Sequence, residues 1–259
     1  MTTTDNFVQT DFQPFQHTVY NNLPLIGEAD QLLNVHTDLD EFFQAAGELI
    51  CRFNLESHVG IGLLHKHNAV GQDQLMVEDP EDIRPGKPAL VMALTEKSTA
   101  GNYVPVLWKL EGTNQQAGFV ALEHSRCEAA HTGHNLLINC PEFLAEFRNL
   151  LLDFGYESIL GLTIMRAQTL QRKAGETYIE RSHPTRIANV MTASTQLKEQ
   201  ATRLIRTSWS FRKGTGVNGA LMTECEAMTK CEEPAEPGLP HIEEKSAPPH
   251  LEEPENARD

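Results

Sequence analysis

The chain of 259 residues has no apolar run long enough to cross a membrane. Its longest uncharged apolar stretches are short, such as LGLTIM at 160–165, whereas a membrane-spanning helix needs about 20 apolar residues. The N-terminal sequence MTTTDNFVQTDF has neither the basic start nor the apolar core of a secretory signal. We therefore expect a globular protein without a membrane span.

Cysteine is also scarce, with five residues spread over the whole chain. A small secreted domain stapled by disulfides is shorter, contains more cysteine and usually has an even number. The cysteine content thus argues against a disulfide framework. Together with the absence of a secretory signal, it predicts a reducing, cytoplasmic setting with free thiols.

Basic residues are few, with 21 Lys and Arg against 36 Asp and Glu, and the formal net charge is −15. Such an acidic chain repels phosphates, so general nucleic-acid binding is not expected. The charge is uneven, because residues 166–213 carry 10 basic and 3 acidic side chains between two acidic flanks. This basic stretch is expected to dock on the acidic body of its own chain or to bind an anionic partner.

The distribution of apolar residues predicts three parts. Residues 1–27 form an N-terminal arm, with scattered aromatics and two prolines, and residues 28–213 form a single folded domain. Residues 214–259 form a tail that is rich in proline and glutamate. From 232 to 259 it holds six prolines and nine acidic residues, so it is predicted to be disordered.

Periodicity within the domain predicts an α+β fold, in which a mainly antiparallel sheet that can curve is covered by two or three helices. Apolar residues recur every three or four positions in helices at 38–53 and 141–155, and a third helix is predicted at 190–211. Five strand-like segments separated by short turns predict an antiparallel meander. They are VGIGLLH (59–65), QLMVE (74–78), PALVMALTE (88–96), YVPVLWKLE (103–111) and GFVALEH (118–124). Two further strands are predicted at 158–165 and 176–182.

Two histidines, His65 and His67, stand two positions apart at the end of the first predicted strand. On a strand this spacing puts both imidazoles on one face, where they can bind one metal ion. The pair resembles the first histidine motif of the cupin family. The cupin carboxylate expected four or five residues later is absent, because QDQ (72–74) follows instead.

A second group of potential ligands lies in HSRCEAAHTGHN (124–135). It contains His124, Cys127, His131 and His134 within eleven residues. If the segment is helical, Cys127 and His131 share a face, as do His131 and His134. Without a metal, the same residues fit a polar loop that follows a strand.

In a five-strand meander the first and fifth strands run in the same direction, so His65, His67 and His124 would emerge at one end of the sheet. We therefore predict a mononuclear site for Zn²⁺, Fe²⁺ or Cu²⁺, with metal ligands drawn from His65, His67, His124, Cys127 and His131. Glu78 and His134 are the candidates for catalytic proton transfer.

The predicted function is that of a metal-dependent enzyme acting on a small organic molecule, with lyase, hydrolase and oxygenase chemistry all open. The alternative is a non-catalytic accessory or interaction protein, or a binder of a small apolar molecule. Its pocket in the curved sheet would be lined by Met92, Leu94, Trp108 and Phe119.

Overall fold

Within the described residues, ten of the eleven strands close into a barrel, accompanied by five helices. The computed structural model describes residues 12–84, 87–112, 117–166, 170, 177–182, 188–194, 203–215 and 221–232. The strands are β1 (Phe12–Gln13), β2 (Val59–Leu63), β3 (Gln74–Arg84), β4 (Lys87–Glu96), β5 (Val104–Glu111), β6 (Gly118–Ser125), β7 (Leu160–Ile164), β8 (Thr177–Ser182), β9 (Ala188–Ser194), β10 (Leu204–Thr215) and β11 (Leu221–Glu232). The helices are α1 (His17–Asn21), α2 (Ile26–Asn34), α3 (Leu39–Arg52), α4 (Glu128–Ile138) and α5 (Pro141–Phe154).

Around the barrel the strands follow the order β6-β3-β4-β9-β8-β11-β10-β2-β7-β5, and β5 pairs with β6 to close the ring. Most neighbours are antiparallel, whereas β3 pairs in parallel with β6 and β8 pairs in parallel with β11. The short β1 adds to β6, also in parallel. A closed ring satisfies the backbone groups that an open sheet exposes along its edges.

The predicted α+β fold with a sheet covered by helices is therefore wrong. The helices predicted at 38–53 and 141–155 are present as α3 and α5, but the described parts of 190–211 belong to strands β9 and β10. The sheet also continues beyond residue 213, because β10 ends at Thr215 and β11 spans Leu221–Glu232. In β10 the buried residues Ile205, Thr207, Trp209 and Phe211 alternate with more exposed ones, which is the period of a strand rather than of a helix.

The predicted meander is wrong as well, because β2 lies between β7 and β10. Each step from β2 through β7 and β5 to β6 is antiparallel, so β2 and β6 run in opposite directions. His124 therefore lies on a strand that runs opposite to the one that precedes His65 and His67.

The division into arm, domain and tail stays a prediction. Within the arm, residues 12–27 contain β1, α1 and the start of α2, and residues 1–11 lie outside the described part. The tail from 233 to 259 also lies outside it. Among the described residues, no helix combines the length and apolar character needed to cross a membrane.

The barrel consists of two copies of one unit, a helix followed by five strands. The first copy runs from α3 to β6 and the second from α5 to β11, and exchanging the copies maps the order of strands around the ring onto itself. Ile61 on β2 pairs with Leu162 on β7, which stands 101 positions further along the chain. After α3 and after α5 one residue takes a left-handed backbone conformation. These residues are Asn54, with φ 57°, and Gly155, with φ 72°, and they are again 101 positions apart.

The two copies also share a close approach between backbones. A Cβ atom on Gly60 would overlap the carbonyl oxygen of Trp209, and a Cβ atom on Gly161 would overlap that of Trp108. Both contacts arise where the first strand of one copy meets the fourth strand of the other, because β2 pairs with β10 and β7 pairs with β5. The same packing constraint therefore acts twice in one chain.

The main hydrophobic core joins the helices to one face of the barrel wall. The Trp209 ring lies 4.9 Å from that of Phe43 on α3, and Trp108 is fully buried in the same cluster. The residues before the two tryptophans, Leu107 and Ser208, line a cavity inside the barrel. Neighbouring residues of β5 and β10 thus serve opposite faces of the wall, as extended strands require.

Candidate metal centre

Three side chains of metal-binding type meet inside the barrel. His65 and His67 follow the end of β2, and Cys231 lies near the end of β11. One ligand atom from each lies within 4.8 Å of the other two, and the residues are 5%, 2% and 0% exposed. Two ligand atoms of one tetrahedral zinc ion are separated by roughly 3.5 Å. If the separations between the three ligand atoms shortened by about 1 Å, all three could coordinate one ion.

The segment that carries the histidines is fixed by the N-terminal part of the chain. The Lys66 backbone N–H donates to the Pro24 carbonyl at 3.0 Å, and the Lys66 ammonium donates to the Asn21 carbonyl at 2.8 Å. The His67 backbone N–H donates to the Tyr20 hydroxyl at 3.3 Å. This part of the predicted arm therefore fixes the backbone segment that carries both imidazoles.

Hydrogen bonds also orient the two rings, whose centroids are 4.6 Å apart. His65 Nδ1 lies 2.9 Å from the Leu63 carbonyl and donates to it, which leaves Nε2 as the nitrogen that can bind a metal. The Nδ1 of His67 contacts the Asn189 side-chain amide. In the structure the amide nitrogen faces Nδ1, so Nδ1 accepts and Nε2 carries the ring proton; a metal ion at Nε2 would require the amide to turn its oxygen toward Nδ1–H.

Buried carboxylates surround the histidines. His67 Nε2 lies 3.5 Å from Glu180 Oε1 and 3.7 Å from Glu123 Oε1. A third carboxylate, that of Glu78, accepts a hydrogen bond of 2.6 Å from Arg166 Nε, and Arg166 Nη2 lies 3.5 Å from Glu123. One guanidinium thus contacts two of the three buried carboxylates, so this part of the barrel favours additional positive charge.

Burial changes the proton affinity of these carboxylates. Desolvation raises the pKa of Glu123 to about 8, against the opposing effect of Arg166. It raises the pKa of Glu180 to about 7 and also raises the pKa of Glu78. At neutral pH the group therefore holds protons that a metal cation would displace.

A small cavity of about 50 Å³ adjoins the cluster. Nine of the ten barrel strands contribute to its lining, which includes both histidines, Glu123, Arg166 and Glu180. This volume has room for a few water molecules.

The structure brings together only two of the five predicted metal ligands, His65 and His67. His124 lies on β6 and is 8% exposed; its ring packs 6.0 Å from Phe15, and burial lowers its pKa to about 4. Cys127 precedes α4, whereas His131 lies on that helix. Among the described residues these three join no metal-binding group with the histidine pair.

The two predicted catalytic groups also lie in different surroundings. Glu78 lies at the polar centre, where its charge is held by Arg166. His134 lies on α4 with its ring stacked 6.2 Å from that of Trp108, and burial lowers its pKa. Glu123 and Glu180, rather than His134, are the titratable groups that lie beside His67.

The pocket predicted for the alternative function does not form as a unit. Trp108 and Phe119 belong to the core under the helices, whereas Met92 and Leu94 belong to a separate cluster. Of the four, Met92 alone lines the small cavity.

The comparisons with models of protein families, with curated proteins and with solved structures found no match for this chain.

Proposed function

We propose that this protein binds one divalent transition metal ion through His65, His67 and Cys231 inside the barrel. The observation that carries the proposal is the convergence of three buried ligand atoms within 4.8 Å of one another. Two imidazoles and one thiolate suit Zn²⁺ best, and Fe²⁺ and Cu²⁺ are the other ions that this donor set accepts.

The bound ion would link the two copies of the repeated unit. His65 and His67 follow β2 of the first copy, whereas Cys231 belongs to β11 of the second, and β10 separates these strands in the ring. An ion bound to all three side chains would fasten the last strand to the segment that follows the first. Because an unfolded chain lacks this arrangement, the free energy of metal binding would add to the free energy of unfolding.

A second candidate function is metal-dependent catalysis on a small organic molecule. The adjacent cavity, bordered by Glu123 and Glu180, supports this candidate. A metal ion with an open coordination position lowers the pKa of a bound water or polarises a carbonyl group. A neighbouring carboxylate can then transfer the proton. The geometry favours none of lyase, hydrolase and oxygenase chemistry over the others.

Metal content tests the proposal. Protein purified without a histidine tag should carry about one equivalent of metal by mass spectrometry. Replacing His65 and His67 together by Ala should lower this value below about a tenth of an equivalent. The matched control replaces His131 and His134 by Ala, which removes the same number of imidazoles from α4 and should leave the metal content unchanged. Wild-type protein that neither carries metal nor binds added Zn²⁺ would refute the proposal.

A further inference from the structure

The repeated unit creates two corresponding corners in the polar centre of the barrel. In the first, Glu78 on β3 pairs across the ladder with Ser125 on β6. In the second, Glu180 on β8 pairs in the same parallel manner with Cys231 on β11. The neighbouring pairs agree, because Val104 faces Ser125 just as Ile205 faces Cys231.

A third residue completes each corner. Arg166 follows β7 by two positions, and His65 follows β2 by two positions. The strands β2 and β7 correspond, and the two residues are 101 positions apart, as Ile61 and Leu162 are. The corners are thus Glu78, Ser125 and Arg166 in one copy, and Glu180, Cys231 and His65 in the other.

In the first corner the chain supplies its own cation. Arg166 Nε donates to Glu78 Oε1 at 2.6 Å, and both residues are buried, at 9% and 1% exposure. A buried carboxylate needs such a partner, because an uncompensated charge in the interior is strongly destabilising.

In the second corner the corresponding carboxylate forms no ion pair with a lysine or arginine among the described residues, although Asn189 donates a hydrogen bond to it and the more distant Arg166 lowers its pKa. Glu180 is 5% exposed, and its Oε1 has no hydrogen-bond partner among the described residues. The same oxygen lies 3.5 Å from His67 Nε2. A carboxylate oxygen beside one of the imidazoles, on a residue that pairs with Cys231 across the ladder, is the kind of donor that completes a tetrahedral site when three ligands are in place.

We infer that Glu180 is the fourth ligand of the metal ion, and that this ion occupies the place in its corner that the Arg166 guanidinium occupies in the other. The inference rests on the proposed metal site and adds a specific consequence. A site closed by four protein ligands has no open position for water, which is typical of structural zinc.

The test is the affinity for Co²⁺, which is followed by its absorption spectrum, in the full-length protein. Glu180→Gln should weaken Co²⁺ binding at least tenfold, whereas the control variant Asp79→Asn, whose carboxylate pairs with Arg126, should change it less than threefold. Circular dichroism of each metal-free variant shows whether it folds. Should Glu180→Gln not fold, Glu180→Asp, with its shorter carboxylate, should show the same weakening.

The wild-type complex gives a second measurement that needs no variant. Azide or cyanide should leave the Co²⁺ spectrum unchanged if Glu180 fills the fourth position. A spectral shift on adding the anion, or unchanged Co²⁺ affinity in a folded Glu180 variant, would overturn the inference while leaving the proposed function intact. Wild-type protein that binds no Co²⁺ or Zn²⁺ would overturn both.

Discussion

Ile61 and Leu162 face each other across the β2–β7 ladder although they are 101 residues apart, and they occupy the same position in the two copies of the repeated unit. The axis that relates the copies therefore passes between these two residues. It crosses the ring again between β4 and β9, where Leu90 pairs with Met191 and Met92 with Asn189. The proposed metal centre takes His65 and His67 from the first copy and Cys231 from the second, so its ligand set depends on how the two copies pair and on where their residues differ.

Replacing Cys231 by Ser should abolish the thiolate-to-metal absorption of the Co²⁺ complex and weaken binding at least tenfold, because a hydroxyl is a poor ligand for these ions. The control is Cys225→Ser, which changes an exposed thiol on the same strand. It should leave both spectrum and affinity unchanged. Equal effects of the two substitutions would show that Cys231 is not a ligand.

Metal should raise the melting temperature of the protein. At a free metal concentration of about 100 times Kd, the free energy of unfolding should rise by about 2.7 kcal/mol. For a chain of this size that corresponds to about 5–10 °C. Calorimetry with Zn²⁺ or with a chelator measures the shift, and the His65→Ala/His67→Ala variant should show none. A shift of the same size in that variant would mean that the ion binds elsewhere.

Arg166→Met should destabilise the fold by about 3–5 kcal/mol, because Glu78 then stays buried without its cation. Adding Glu78→Gln to this variant should recover part of the loss. The control is Arg52→Met, because the ion pair of Arg52 with Glu146 is exposed. It should cost no more than about 1 kcal/mol. Urea titrations give the four free energies, and no recovery in the double variant would argue against coupling of Arg166 to Glu78.

Gly60→Ala and Gly161→Ala should each destabilise the barrel by about 2 kcal/mol or more, because the new methyl group would collide with a tryptophan carbonyl of the neighbouring strand. Gly101→Ala is the control, since a Cβ atom there meets nothing within 4 Å. Thermal unfolding of the three variants checks this. A difference of less than about 0.5 kcal/mol between Gly161→Ala and the control would contradict the close approach of β5 and β7.

Acid should destabilise the protein through His124. Its pKa is about 4 in the folded chain, because burial disfavours the charged ring, and about 6.5 in the unfolded chain. Between pH 4 and 6.5 the unfolded chain binds more protons at His124 than the folded chain does. The contribution of His124 to the free energy of unfolding is therefore complete above pH 6.5. It is lost as the pH falls toward 4, by about 3 kcal/mol. Urea titrations from pH 7 to 4 should show the loss, and His124→Leu should reduce it. An unchanged slope in that variant would remove His124 as the cause.

The sequence predicted those parts of the fold that local periodicity determines. In α3, for example, Phe42, Phe43, Ala46, Leu49 and Ile50 form one buried stripe through contacts close in sequence. The closure of the barrel was not predictable in this way, because β2 pairs with β7 and β10, about 100 and 150 residues away. A hydrophobic pattern records which face of a strand is buried, but it does not record which strand lies beside it.

The same limit explains the mixed result for the site. His65 and His67 were found because two positions on one strand share a face. Cys231 was missed because the proline-rich composition of the region after residue 232 was extended over the whole segment from 214. The repeat offered a signal, since Asn54-Leu55-Glu56-Ser57 corresponds to Gly155-Tyr156-Glu157-Ser158, and each stands between an apolar helix and an apolar strand.

Because both copies of the unit are joined in one chain, each can change without the other. An assembly of two identical half-length chains would place the same residue in both corners, either two arginines or two histidines. The covalent link removes this requirement, so a permanent charge at Arg166 can coexist with histidines that would take their cation from solution. The metal supply would then affect one corner and leave the other unchanged.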